Sequence, residues 1–175
     1  YIANDPFYGG THLPEVFVIK PVFYGRAVFA FAVACVHVPD IVGRVPGGNA
    51  SDSTEIFQEG VRIPPMKLFD RGRPNESLLA ILELNVRDSK KTIGDIYGEV
   101  SACHIADQGL QKLVGKYGIK RFRSLCEDLL DYSEELARAE YRTWPEGDYE
   151  FTDYLDGDGF DSGVIKLHLK LTNRD

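Results

Sequence analysis

A long apolar stretch near the start of the chain, interrupted once by Tyr24-Gly25-Arg26, constrains the fold more than any other feature. Residues 16–38 are dominated by Val, Phe, Ile and Ala, and the interruption supplies residues that can turn a β-hairpin. In the second half of the stretch, both sets of alternating residues are apolar. The pattern therefore predicts a hairpin whose second strand is covered on both faces.

A long irregular segment and three helices are predicted after this hairpin. Residues 39–75 are rich in Pro and Gly, and only STEIFQEG hints at a helical turn. An irregular segment of this length inside a compact domain usually carries function. The first helix begins after the cap residue Asn75, the second covers about residues 93–117 and ends at Gly118, and the third covers about residues 120–142.

Two strand-like runs close the chain, YEFTDYLD and GVIKLHLKLTN, with the polar turn GDGFDSG between them. The order is thus an N-terminal β-hairpin, a long irregular loop, three helices and a C-terminal β-hairpin. This order indicates an α+β fold rather than regularly alternating βα units. The chain begins with Tyr, so we expect residues 1–175 to be a single segment of a larger α/β subunit.

Composition and charge argue against several classes of function. The chain has a net charge of −7 and no run of Lys or Arg, which makes nucleic acid an improbable partner. The most apolar run, AVFAFAVACVHV, is too short to cross a bilayer, and we expect no membrane association. Cys35, Cys103 and Cys126 form no CxxC pair, which is typical of reduced thiols in a cytoplasmic protein.

Two histidines that flank the hairpin are each followed three residues later by a carboxylate. His12 and Glu15 precede the first strand, and His37 and Asp40 end the second. A hairpin brings the start of its first strand close to the end of its second, so the four side chains could meet. Imidazole and carboxylate are ligands of divalent metals, so the pattern is compatible with a metal site, and equally with two unrelated histidines that are capped core or loop residues.

Other polar residues give weaker indications. In QEGVRIPP, Glu59 and Arg62 stand beside a double Pro, where they could contact substrate or form an internal ion pair. His104 and His168 have no acidic companion, and we expect both to be structural. The chain shows no glycine-rich phosphate loop, no nucleophilic serine elbow and no cysteine with a catalytic signature, so we expect no nucleotide cofactor on this chain.

Several separated blocks resemble the hydantoinase B/oxoprolinase family, in the family's order and over essentially the whole chain. They are NDPFYGGTHLPEVFVIKPVF, VHVPDIVGRVPGG, TEIFQEGVRIPPMKLF, NVR, GDIYGEVSAC and LLDYSEELARAEYRTWPEGDYEFTDYLDGDG. The family includes B subunits of ATP-dependent hydantoinases, part of 5-oxoprolinase, and subunits of acetone and acetophenone carboxylases. Its members are considerably longer than this chain.

The resemblance implies a divalent metal, Zn, Mn or Fe, whose ligands fall on His12, Glu15 and His37. Two departures from the family pattern stand out. The acid is usually Asp, and this chain has Glu15 instead. The D-x-G-G block reads Asp40-Ile41-Val42-Gly43, so that Val42 replaces a glycine and removes backbone freedom near the site.

The family further implies an ATP-dependent amidohydrolase that opens a small cyclic amide, with ATP and Mg bound by a hydantoinase A-like partner in a hetero-oligomer. Asp40 would orient a histidine or act as a catalytic base. The residues expected to shape the substrate pocket are Asn4, Asp5, Glu59 and Arg62. Two alternatives stay open: a subunit of a ketone carboxylase, and a non-catalytic accessory subunit that has lost function at Glu15 and Val42.

Overall fold

The chain forms two compact units in the computed structural model, which describes residues 1–159 and 163–174. The first unit covers residues 1–116 and the second residues 117–175. The expectation that residues 1–175 form a single segment stays a prediction. Helices and small antiparallel sheets make up both units, which confirms the α+β class.

A three-stranded antiparallel sheet with the order β1-β2-β3 forms the base of the first unit. Its strands are β1 (Ile2–Ala3), β2 (Glu15–Tyr24) and β3 (Ala27–His37). β2 and β3 are the predicted hairpin, and the turn lies at Gly25, whose φ of 62° is accessible to glycine without strain. The pairing runs from Tyr24 opposite Ala27 to Glu15 opposite His37, with one irregularity between Val22 and Phe23.

The two faces of this hairpin differ in burial. The core face carries the even-numbered side chains, among them Val16, Val18 and Ala32, and it packs against the second helix. There the Cys103 thiol donates to the Val18 carbonyl oxygen at 3.3 Å. On the opposite face Phe31 is 64% exposed, so the prediction of cover on both faces is wrong for the part of the chain that the structure describes.

The predicted irregular region is confirmed, with little regular structure between the hairpin and the first long helix. It contains a short 3-10 helix (Ile56–Gln58) inside the STEIFQEG stretch, and a two-stranded ribbon of β4 (Phe69–Asp70) and β5 (Arg73–Pro74) that the sequence pattern missed. Backbone bonds of Ile2 with Met66 attach this region to β1.

Two helices complete the first unit where the sequence placed them. α1 (Glu76–Asn85) begins after Asn75, whose side-chain oxygen accepts from the Leu78 N–H at 3.1 Å. α2 (Ser89–Tyr117) begins four residues before the predicted start, because Asp88 accepts from the Lys91 N–H and thereby caps the first turn.

The second unit consists of α3 (Ile119–Tyr141) and a ribbon of β6 (Gly147–Leu155) and β7 (Ile165–Asn173). Gly118, with a φ of 75°, separates α2 from α3 as predicted. The Asn173 amide donates to the carbonyl oxygens of Tyr141 and Trp144, which ties the ribbon to the end of the helix. Part of the predicted turn GDGFDSG, residues 160–162, lies outside the described residues.

Membrane-spanning segments are not found among the described helices, none of which combines the length and the apolar character needed to cross a bilayer.

Glu99 on α2 is an acid inside the core of the first unit. It is 2% exposed, and neither carboxyl oxygen has a hydrogen-bond partner among the described residues. Burial raises its pKa to about 8, and the neighbouring charge of Asp95 adds to the shift. The Val18 backbone opposes the shift without making a well-formed hydrogen bond to either oxygen. Glu99 is therefore protonated and neutral at pH 7.

This buried acid predicts that the folded chain loses stability as the pH rises. Between about pH 4.5 and pH 8 the folded state keeps a proton that the unfolded state has released, so stability is full below this window and falls through it. From pH 6 to pH 9 the ionisation of this group lowers the free energy of unfolding by about 3 kcal/mol.

Urea unfolding at the two pH values should show this loss in the wild type and not in Glu99→Gln. Glu83→Gln, at an exposed position on α1, is the control, and equal pH dependence in all three proteins would contradict the account.

Candidate functional site

The two hairpin histidines are in contact at the exposed end of the sheet. Pairing of β2 with β3 places Glu15 directly opposite His37, and His12 lies in the turn just before β2. The imidazole centroids of His12 and His37 are 4.6 Å apart with their planes at 88°. The sequence prediction that the hairpin brings these residues together is confirmed by this geometry.

The loop that carries His12 depends on the two glycines before it. Gly9 has a φ of 135°, a conformation that side-chain-bearing residues rarely adopt. A Cβ atom at Gly10 would lie 3.2 Å from the Phe17 ring and 3.3 Å from Oε2 of Glu15, which is tighter than most packing contacts and would require these side chains to shift. The GGTH stretch thus folds tightly over the start of β2 and directs His12 toward His37.

The Glu15 carboxylate is held by donors from its own neighbourhood. Its Oε2 accepts from the Thr11 N–H at 2.8 Å and from the Thr11 hydroxyl at 3.1 Å, and its Oε1 accepts from the Cys35 thiol at 3.6 Å. The Thr11 N–H is the main cause that holds the pKa of Glu15 below its usual value, and nearby His12 adds to this. Glu15 is therefore ionised at neutral pH.

Cys35 lies on the same face of the hairpin as Glu15 and His37. Desolvation of the sulfur and the adjacent Glu15 carboxylate raise the pKa of Cys35 to about 11. The group is thus a thiol and not a thiolate at neutral pH. It can donate to Glu15, and it is a poor nucleophile in this form.

The residue types at this site fit a divalent ion, but their side chains are not all positioned to bind one. Two imidazoles in contact and an adjacent carboxylate are ligand types that bind Zn, Mn or Fe. Within residues 1–159 and 163–174, no three His, Cys, Asp or Glu side chains are already placed to share one ion. The imidazole pair fits two ligand positions, whereas Glu15 is bound to Thr11, so its role as a third ligand stays a prediction.

Asp40, predicted to orient a histidine or act as a base, is engaged elsewhere. It is 2% exposed, its Oδ1 accepts from Nη1 of Arg87 at 2.8 Å, and its Oδ2 accepts from the Arg87 N–H at 2.6 Å. Its backbone oxygen accepts from the Thr92 hydroxyl at 3.2 Å. Neither histidine is among the partners of Asp40, so the expected meeting of the four side chains does not occur.

The end of β3 explains why Asp40 is separated from His37. The strand ends at His37 and the chain bends at Pro39, so that His37 stays exposed while the Asp40 side chain is buried in the first unit. The partner of Asp40 was visible in the NVR block, where Arg87 received no role. A buried acid near the end of a strand needs a cation, and Arg87 was the signal that sequence reasoning missed.

Val42 adopts a left-handed backbone conformation with a φ of 72°, an outlier for a β-branched residue that costs about 1–2 kcal/mol. The Arg87 guanidinium holds this conformation by donating to the carbonyl oxygens of Val42 and Gly43 at 3.2 and 2.6 Å. A glycine would adopt this φ without strain. Val42, which stands where the family pattern has a glycine, therefore strains the backbone next to the Asp40–Arg87 ion pair.

Asn4 and Asp5, expected near substrate, serve the framework of the first unit. The Asn4 side chain is buried and makes three hydrogen bonds, to the carbonyl oxygens of Leu13 and Val61 and from the Ile63 N–H. It therefore joins the loop before β2 to the irregular region. Asp5 accepts from the Phe7 N–H and begins a short 3-10 helix (Pro6–Tyr8).

Glu59 and Arg62 lie in the irregular region and do not pair with each other. Arg62 lies 4.0 Å from the Asp5 carboxylate and 5.3 Å from the centre of the Phe57 ring. A side chain at Gly48 would collide with the Glu59 carbonyl oxygen, which explains a glycine in the PGG turn. Substrate contact by Asn4, Asp5, Glu59 and Arg62 stays a prediction.

His104 and His168 each contact one polar side chain of a strand, and the structural role expected for both stays a prediction. Nδ1 of His104 lies 2.8 Å from the Lys20 ammonium, and Nδ1 of His168 lies 3.2 Å from the Thr152 hydroxyl.

The ion pair between the buried Asp40 carboxylate and the half-exposed Arg87 guanidinium predicts a loss of stability when Asp40 is replaced. Asp40→Asn places amide hydrogens against the Arg87 donors and should lower the free energy of unfolding by about 1–3 kcal/mol. Asp52→Asn removes an exposed ion pair with Arg44 and should cost at most about 1 kcal/mol. Urea unfolding measures both. Equal stability of Asp40→Asn and the wild type would contradict the structural role.

A family model described as hydantoinase B/oxoprolinase matches residues 1–175. The chain is 34% identical to the caprolactamase subunit beta of Pseudomonas jessenii over 171 residues, which are 98% of this chain and 29% of that subunit. It is 26% identical to the acetophenone carboxylase delta subunit of Aromatoleum aromaticum, over 95% of this chain and 24% of that subunit.

The crystal structure of the ATP-dependent caprolactamase from P. jessenii superposes with a TM-score of 0.86 at 33% identity, over 98% of this chain and 30% of that one. The chain thus spans less than a third of the length of these relatives and corresponds to a segment of larger subunits.

Proposed function

The chain belongs to the hydantoinase B/oxoprolinase family, and from this premise we propose that it contributes to an ATP-dependent amidohydrolase that opens a small cyclic amide such as a hydantoin, an oxoproline or another lactam. The observation that carries the proposal is the contact between His12 and His37 at the exposed end of the hairpin. Two imidazoles in edge-to-face contact, one at the end of β3 and one in the turn before β2, can bind an electrophile and accept protons.

We propose that His12 and His37 hold a divalent ion, with Glu15 as the predicted third ligand. The bound ion would supply Lewis acidity, polarising the amide carbonyl and lowering the pKa of an attacking water. The Oε1 atom of Glu15, which accepts from the Cys35 thiol at 3.6 Å, is its less strongly bonded oxygen and the one available to an ion. The chain's own contribution is to fix the two rings on a rigid hairpin end.

ATP, with Mg, is assigned in this proposal to a hydantoinase A-like partner subunit in a hetero-oligomer. Unstrained amides are poor electrophiles, and phosphorylation of the substrate would activate the carbonyl. Support comes from the relatives: a caprolactamase subunit beta is similar to this chain, and the caprolactamase of the same organism is described as ATP-dependent. The three free cysteines are consistent with a reducing, cytoplasmic location.

The surface beside the histidine pair favours a substrate ring made largely of methylene groups. Phe17, Ile19 and Val33 follow Glu15 and His37 along the same face of the hairpin, and Val33 is 57% exposed. Apolar surface binds methylene groups better than it binds the additional amide of a hydantoin. We therefore propose a lactam in preference to a hydantoin.

A ketone carboxylase subunit is the second candidate, since the acetophenone carboxylase delta subunit is similar over 95% of this chain. The same histidine pair would then hold an enolate or enol phosphate for attack on a carbon dioxide equivalent. A third possibility is an accessory subunit, for which the strained Val42 and the longer acid Glu15 are the supporting features.

The proposed reaction predicts which substrate a reconstituted complex consumes. The intact subunit, combined with an ATP-binding partner, should hydrolyse a lactam in an ATP-dependent manner and should use hydantoin less well. His37→Ala should lower the rate at least about 100-fold, whereas the matched control His168→Ala, at an exposed position, should leave it unchanged. Amide consumption and ADP release measure the reaction.

The competing outcomes are distinct. Labelled bicarbonate entering a ketone product would establish the carboxylase. Equal rates for His37→Ala and the wild type would contradict a role of the histidine pair in either reaction.

A further inference from the structure

The Thr11 hydroxyl lies between the Glu15 carboxylate and the His12 imidazole. Its oxygen is 3.1 Å from Oε2 of Glu15 and 3.2 Å from Nδ1 of His12. None of the sequence patterns assigned a role to Thr11. Its position nevertheless connects a carboxylate to one particular ring nitrogen.

The single hydroxyl proton decides the direction of both hydrogen bonds. An ionised carboxylate can only accept, so the Thr11 hydroxyl must donate its proton to Glu15. The hydroxyl oxygen is then left with lone pairs alone and must accept from Nδ1 of His12. Neutral histidine carries one ring proton, and in this arrangement the proton is on Nδ1.

We propose that Thr11 is a positioning residue that couples the Glu15 carboxylate to His12 and fixes the His12 imidazole as the Nδ1–H tautomer. The unprotonated atom is then Nε2, the nitrogen whose lone pair is free for a divalent ion or for a substrate proton. Thr11 acts through His12 and touches neither substrate nor ion.

The length of the Glu15 side chain allows this coupling. The carboxylate reaches back to residue 11, where its Oε2 is bound by both the backbone N–H and the hydroxyl of Thr11. The Cys35 thiol contacts Oε1 from β3. Three donors from two segments thus hold the carboxylate against rotation, and a fixed carboxylate keeps the hydroxyl proton pointed away from His12.

The inference rests on the site of the proposed function, but its test needs no turnover and no bound ion. The intact polypeptide is labelled with ¹⁵N-histidine, freed of metal with a chelator and studied at about pH 8.5, where ordinary imidazoles are neutral. Long-range ¹H–¹⁵N spectra show which ring nitrogen carries the proton, and His12→Ala identifies the His12 signals.

The wild type should show His12 as the Nδ1–H tautomer. Thr11→Val, which keeps the shape but removes the hydroxyl, should change the tautomer ratio at least about fivefold toward Nε2–H, the loss expected for one hydrogen bond. Thr11→Ser should restore the wild-type ratio. His168, whose Nδ1 faces the Thr152 hydroxyl, should keep its own ratio in all variants.

Two results would overturn the inference. The first is a wild type in which His12 is already the Nε2–H tautomer, a measurement that does not depend on any variant folding. The second is a folded Thr11→Val variant with an unchanged ratio. The tautomer is measured without turnover and without a bound ion. A subunit that shows no amidohydrolase activity or binds no ion would therefore contradict the proposed function but not this inference.

Discussion

The antiparallel pairing of β2 with β3 is the interaction on which the rest of the site depends. It fixes Glu15 opposite His37, and the tight loop before β2 brings His12 into contact with the His37 ring. A shift of the register by one residue would move every side chain of β2 to the other face and would separate the set. The buried even-numbered face, held by α2, opposes such a shift because it would expose Val16 and Val18.

Polar contacts inside the first unit attach the irregular region to this hairpin. Asn4 joins the loop before β2 to the segment around Ile63, and Asp40 with Arg87 joins the end of β3 to the junction of the first two helices. Buried groups of this kind are costly when they lose their partners. Asn4 and Asp40 thus hold the framework of the first unit together, and the roles at the site that the sequence suggested for them stay predictions.

Sequence reasoning succeeded where local periodicity and turn chemistry decide the outcome. The hairpin turn at Gly25, the Asn75 cap and the Gly118 helix end follow from such local signals, and the meeting of His12 with His37 follows from hairpin geometry. The sequence contains Arg87 in the NVR block, but its pairing with Asp40 was not predicted, because the two residues are 47 positions apart and their contact depends on tertiary packing. The hydroxyl coupling at Thr11 also required coordinates, because it depends on one rotamer in an irregular loop.

The central claim is that the end of the hairpin is a metal site built on His12 and His37. Its most direct test is the divalent-ion content of the intact subunit, measured by elemental analysis after dialysis against trace Zn²⁺ and Mn²⁺. The account predicts one ion per chain in the wild type and in His168→Ala, and its loss in both His12→Ala and His37→Ala. An ion retained in full by both of these variants, or a wild type that binds none, would contradict it.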